Sequence, residues 1–103
     1  MLEFSSGSLT DELNKDGITI VTFVAVWCRN CSMINEELLA LEKLNPDIKL
    51  IHVDCDEHEQ LAIEYNVSVL PTSLYFVNGA LVKVEHGYKK LNELKQIIES
   101  LKN

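Results

Sequence analysis

Residues Ile18 to Val26 form a nearly unbroken apolar run rich in β-branched side chains. A run without polar alternation fits a strand covered on both faces, which places it at the centre of a sheet with helices on each side. The neighbouring segments follow the same plan. Leu2–Phe4 reads as a short edge strand, and Ser8-Leu9-Thr10-Asp11 as a helix start with Leu9 and Leu13 on one face and Gly17 beyond its end. Ile48–Asp54 reads as a second buried strand, Asp56-Glu57-His58-Glu59 opens a short helix with Leu61, Ala62 and Tyr65 inward, and Asn66–Pro71 is a loop. Ser73–Val77 and Ala80–Glu85 are strand-like runs joined by Asn78-Gly79, a strong hairpin signal. Leu91, Leu94, Ile98 and Leu101 mark a final amphipathic helix. The predicted order is β-α-β-α-β-α-β-β-α. Helices between the early strands imply parallel pairing, and the late hairpin is antiparallel.

Trp27-Cys28-Arg29-Asn30-Cys31 directly follows the apolar run and precedes Ser32–Leu44, in which Ile34, Leu38 and Leu41 have core spacing up to a stop at Asn45-Pro46. Two cysteines two residues apart at the start of a helix are placed for dithiol–disulfide chemistry. Cys28 falls where backbone N–H groups are unpaired and the helix dipole is positive. Both favour the thiolate, which is the nucleophile. Cys31 lies one turn on, within reach of Cys28.

The 103 residues suit one domain, 1–103, and 47% hydrophobic content supplies a sizeable core. A net charge of −7 disfavours nucleic acid and anionic membrane as partners. The start, Met1 to Gly7, lacks a basic segment and a long apolar centre, so no secretion signal is expected, and no run is long enough to span a bilayer. The expected location is cytoplasmic. In that reducing compartment three cysteines do not make a disulfide scaffold, and a Cys-x-x-Cys reads as redox-active or metal-binding.

With these elements in this order, the chain resembles the thioredoxin family over nearly its whole length. The resemblance rests on Trp27-Cys28-x-x-Cys31, on Pro71-Thr72 forty residues after Cys31, on the Asn78-Gly79 hairpin and on Gly87. It implies an α/β thioredoxin fold, a central mixed sheet of four to five strands flanked by helices on both faces. It implies a protein-disulfide reductase in which Cys28 attacks and Cys31 resolves the mixed disulfide. Pro71 would be a cis-proline that sets the backbone of Leu70 beside Cys28 to pair with an extended target segment. Trp27, Val69, Leu70, Gly87 and Tyr88 would form the apolar docking surface, with Gly87 allowing close backbone approach. No bound cofactor is implied. Electrons would come from NADPH through a flavin-dependent thioredoxin reductase, the targets would be disulfide-containing proteins, and the carrier would be a monomer.

Several positions depart from the family pattern. Arg29-Asn30 replaces the usual Gly-Pro between the cysteines. The charge of Arg29 beside Cys28 should stabilise the thiolate and make the protein a weaker reductant than a typical thioredoxin. Thr22 stands where the family often has a buried Asp that accepts the proton of the second cysteine. His52 is the candidate replacement, since an imidazole titrates close to working pH; the alternative is a partly exposed strand histidine without a role. Glu36 stands where a proline usually kinks the helix. Cys55 reads as a small, inert hydrophobe, and His58 and His86 as surface side chains.

Two other functions compete. His52-x-x-Cys55-x-x-His58 together with Cys28 and Cys31 offers five zinc ligands, although both motif cysteines adjoin long apolar elements that already supply a core. A redox-inactive adaptor would use the surface around Trp27 and Leu70 to bind a partner whatever the state of the cysteines.

Overall fold

The structure, a computed structural model, describes residues 1–102, so Asn103 of the expected domain lies outside the described residues. The elements are β1 (Leu2–Glu3), α1 (Leu9–Glu12), β2 (Ile18–Val24), α2 (Arg29–Leu44), β3 (Lys49–Asp54), α3 (Glu59–Glu64), β4 (Thr72–Val77), β5 (Ala80–His86) and α4 (Leu91–Lys102). The five strands form one mixed sheet in the order β1-β3-β2-β4-β5. Every residue of β2 is buried, as its uninterrupted apolar run requires of the central strand.

The sheet's two faces carry separate cores. On one, Val21, Phe23, Ile51, Val53, Leu74 and Phe76 pack against Leu9 and Leu13 from the α1 segment and Ala62 of α3. On the other, Ile18, Ile20, Leu50 and Tyr75 pack against Ile34, Leu38 and Leu41 of α2 and Leu94 and Ile98 of α4. The alternation of strand side chains assigns each residue to its face, and the i, i+4 and i+7 spacing on α2 and α4 meets it.

β1 and β2 pair parallel with β3, as the intervening helices imply. β4 runs antiparallel to β2, with Phe23 opposite Thr72, and this makes the sheet mixed, as expected. Residues 66–71 after α3 lead into β4 at the end of the sheet where β3 finished, so β4 runs back along β2. The hairpin between β4 and β5 turns at Asn78 (φ 53°) and Gly79 (φ 86°), the two positive dihedrals that a two-residue turn of this twist demands. α2 begins at Arg29 with Cys28 as its N-cap, which puts the first cysteine at the helix start as expected.

Candidate active site

The site lies at the end of the sheet where β2 and β3 finish. Cys28 caps α2 in an extended conformation, and the backbone N–H of Cys31 donates to its Sγ at 3.3 Å. An amide bond of this kind is stronger to a thiolate than to a thiol, so a cap that is usually a hydroxyl or carboxylate is here a sulfur suited to negative charge. Cys28 is half-exposed and Cys31 is 2% exposed. Burial, together with the Cys28 side-chain contact, pushes the Cys31 thiol up to about 12. The two sulfurs therefore differ in access, and the difference follows from a single helical turn.

A groove of about 370 Å³ is lined by Trp27, Cys28, Cys55, Val67, Ser68 and Leu70. The Leu70–Pro71 peptide bond is cis. Thr72 holds this loop by donating its hydroxyl to the Val69 carbonyl at 2.6 Å, and His86 Nδ1 lies 3.1 Å from the Thr72 hydroxyl oxygen. The N–H of Gly87 donates to the Pro71 carbonyl at 2.7 Å. Gly87 has φ +84°, and nothing stands within 4 Å of where a side chain would begin, so its surface side is open.

Trp27 is 69% exposed, which makes it a surface element rather than core. Its indole N–H donates to Asp56 Oδ2 at 2.9 Å, and Asp56 N–H in turn donates to Asp54 Oδ1 at 2.8 Å. Val69 is exposed beside the loop, and Arg29 and Asn30 are exposed on the first turn of α2. Tyr88 is half-buried against the α2–α4 core, and its hydroxyl donates to Glu37 Oε1 at 2.9 Å. Accepting that bond from the neutral phenol, with burial and nearby carboxylates adding to it, raises the Tyr88 titration. Nothing in the sequence signalled Asp56 or the Thr72–His86 pair, because each acts through a contact between elements distant in the chain.

Thr22 and His52 are neighbours. Glu3, His52, Thr22, Ser73 and Glu85 form one line of direct partners across the five strands. The line lies on the α2 face, two residues beyond Leu50, Ile20 and Tyr75 of the core. Thr22 is buried and shares a hydrogen bond with Ser73, Oγ1 to Oγ 3.2 Å. His52 Nε2 lies 3.6 Å from Glu3 Oε1. His52 and Cys31 line one cavity of about 390 Å³, together with Asn35, which sits one turn after Cys31 on α2. Asn35 escaped the sequence reading, although a polar residue four after Cys31 on the inward side of a core helix was a usable signal.

The zinc alternative is overturned by this geometry. His52 faces α2, whereas His58 stacks edge-on against Phe4 on the other side of the sheet, with ring centroids 4.9 Å apart, and its Nε2 lies 3.1 Å from the Phe4 carbonyl. Among the described residues no three His, Cys, Asp or Glu side chains converge on a point that could hold a metal ion. The ligand spacing was right along the chain, but β3 ends at Asp54 and the loop after it carries His58 to the opposite side of the sheet from His52.

The Thioredoxin family model matches residues 1–100. The thioredoxin of Bacillus subtilis is 30% identical over 84 residues, covering 81% of each chain. The mitochondrial thioredoxin of Mus musculus is 33% identical over 90 residues, 86% of this chain and 54% of that longer protein. The solved structure of Plasmodium falciparum thioredoxin superposes with a TM-score of 0.86 at 27% identity, covering 97% of this chain and 98% of that one. A half-exposed cysteine capping a helix, a buried partner one turn on, a cis-proline loop across the groove and these likenesses converge: the chain belongs to the thioredoxin family, the thiol–disulfide oxidoreductases that reduce protein disulfides.

Proposed function

We propose that Cys28 and Cys31 carry the disulfide reduction in two displacements. Cys28 thiolate attacks a sulfur of the target disulfide, forming a mixed disulfide and releasing the first target thiolate. Cys31 then loses its proton and attacks Cys28 Sγ. The internal Cys28–Cys31 bond forms and the second target sulfur leaves with the electron pair, so two electrons pass to the target. The observation that carries this reading is the pairing at the helix start, where the Cys31 N–H donates to a half-exposed Cys28 Sγ while the Cys31 sulfur stays buried. Exposure suits the first attack and burial suits a thiol reserved for the second.

The target segment docks in extended form against the Leu70 backbone beside cis-Pro71, with its side chains on Trp27, Val69 and Leu70 and its backbone passing Gly87. Arg29 and Asn30 contact the target from the first turn of α2, and Tyr88, fastened to Glu37, borders the surface. Residues 1–103 act as one domain and as a monomer, since docking requires this surface free. The dithiol holds the electrons without a bound cofactor. NADPH supplies them through a flavin-dependent thioredoxin reductase, which needs the same face. The compartment is the cytoplasm, where thiols are kept reduced. No helix among the described residues is long and apolar enough to cross a membrane.

Insulin disulfide reduction tests the reading. The protein should accelerate it when driven by dithiothreitol and again when driven by NADPH plus a thioredoxin reductase, and Cys28→Ser should abolish both. Activity with dithiothreitol alone points to another electron donor. A Cys28→Ser variant that retains full biological activity would establish the adaptor reading instead.

A further inference from the structure

The loop that carries Leu70 is held from the end of β5. Thr72 Oγ1 lies 2.6 Å from the Val69 carbonyl and 3.1 Å from His86 Nδ1. A hydroxyl has one proton to donate. Thr72 donates it to Val69, so the imidazole is the donor in the second bond and His86 carries a proton on Nδ1. In the neutral ring that leaves Nε2 with the lone pair. A hydroxyl that accepts an N–H bond is polarised into a stronger donor, so His86 tightens the bond from Thr72 to Val69. Thr72 is buried, whereas His86, directly opposite it in the β4–β5 ladder, is exposed. The Val69–Leu70 peptide is trans, and in a trans peptide the C=O and the following N–H point opposite ways in one plane. With the Val69 carbonyl pinned to buried Thr72, the Leu70 N–H is aimed away from that anchor. The Gly87 N–H on the Pro71 carbonyl, at 2.7 Å, fixes the next stretch of the loop.

We propose that His86 is a positioning residue for target docking. Through Thr72 it fixes the Val69–Leu70 peptide plane, so the Leu70 N–H is already aimed when an extended, disulfide-bearing segment arrives. This rests on the docking reading above and deepens it by naming the class of target that benefits. A preset donor lowers the ordering cost of binding. Only a target that pairs backbone to backbone with Leu70 gains from it. A small disulfide that reaches Cys28 without an extended segment gains nothing. His86 therefore selects peptide disulfides over low-molecular-weight ones, and it does so without touching the reacting sulfurs.

Two measurements test this. NMR of the imidazole nitrogens in mildly alkaline solution, where the ring is neutral, should find the His86 proton on Nδ1, and Thr72→Val should release it to Nε2. Single-turnover reaction of the reduced protein, followed by Trp27 fluorescence, compares insulin with hydroxyethyl disulfide. His86→Val, which suits an exposed strand but donates nothing, should raise the insulin concentration for half-maximal rate on the order of three- to tenfold and leave the maximal rate unchanged. Its rate with hydroxyethyl disulfide should match the parent. His86→Asn, whose amide N–H can donate to the Thr72 oxygen, should recover most of the loss. Thr72→Val should lose as much as His86→Val, and the double variant no more than either, as expected of two residues acting through one bond. A proton on Nε2 in the parent overturns the proposal. So does a His86→Val variant that reduces insulin like the parent, an equal slowing with both disulfides, or additive losses in the double variant. A parent protein that reduces neither disulfide overturns the Cys28–Cys31 reading itself.

Discussion

Arg29 is the residue by which this site differs most in charge from the usual Gly-Pro pairing. It is exposed on the first turn of α2, adjacent to the sulfur that caps the helix. A positive charge there favours the thiolate form, which belongs to the reduced protein, so it makes the disulfide more oxidising. Arg29→Gly should therefore lower the reduction potential, on the order of 10 mV for an exposed charge near a helix end. Equilibrium titration against glutathione measures this, and an equal or higher potential in the variant would refute it. The two motif cysteines and Pro71 were legible as a pattern because their chemistry is local or recurs at fixed spacing. Asp56 was not, because it enters the site only through the hydrogen bond it accepts from Trp27, far away in the chain.

α2 must hold Cys28 and Cys31 in register over the sheet, and its grip is Ile34, Leu38 and Leu41 set against α4 and β2. Leu38 is 1% exposed. Leu38→Ala should cost about 2–5 kcal/mol through lost burial and the cavity left behind. Urea denaturation should show a lower midpoint with an unchanged slope, and a loss well under 1 kcal/mol would mean that α2 is not anchored there. Most element types followed from periodicity and turn chemistry: β2 from its apolar run, the β4–β5 hairpin from Asn78-Gly79, α4 from its heptad-like leucines and isoleucines. The start of α2 at Cys28 was legible from two cysteines one helical turn apart directly after a buried strand. The mixed sheet was legible from the late hairpin, whereas the strand order was not, because it depends on which distant segments meet across the sheet.

Over the whole molecule, the fold raises several thiols and phenols, most of all Cys31 and Tyr75. Burial first, then contact with Cys28, raises the Cys31 thiol from its ordinary 9.0 to about 12. Burial first, then the charge of Glu85, raises the Tyr75 phenol above its ordinary 10.0. Above these ordinary values the unfolded chain has lost protons that the folded chain still binds, so unfolding gains ground as pH rises. The stability these groups contribute is whole below about pH 9 and drains away toward about pH 12. The urea midpoint should fall steadily over about pH 9 to 11, and more gently in Tyr75→Phe, which removes a buried hydroxyl that has no partner among the described residues. A midpoint constant over that range would show that neither group titrates with folding.

The sequence by itself determined the pieces: a strand that must be buried on both faces, a sulfur-capped helix, a two-residue turn, and two amphipathic helices. Each of these is set by forces acting within a few residues of the chain, such as side-chain periodicity, N–H groups left unpaired at a helix start, or backbone angles that only certain residues adopt. Tertiary structure alone decided the strand order, the line from Glu3 through His52 and Thr22 to Ser73 and Glu85, and the cavity that joins His52 to Cys31. Those depend on which segments, tens of residues apart, bury their apolar faces against one another, and that free energy is written in no local stretch of the chain.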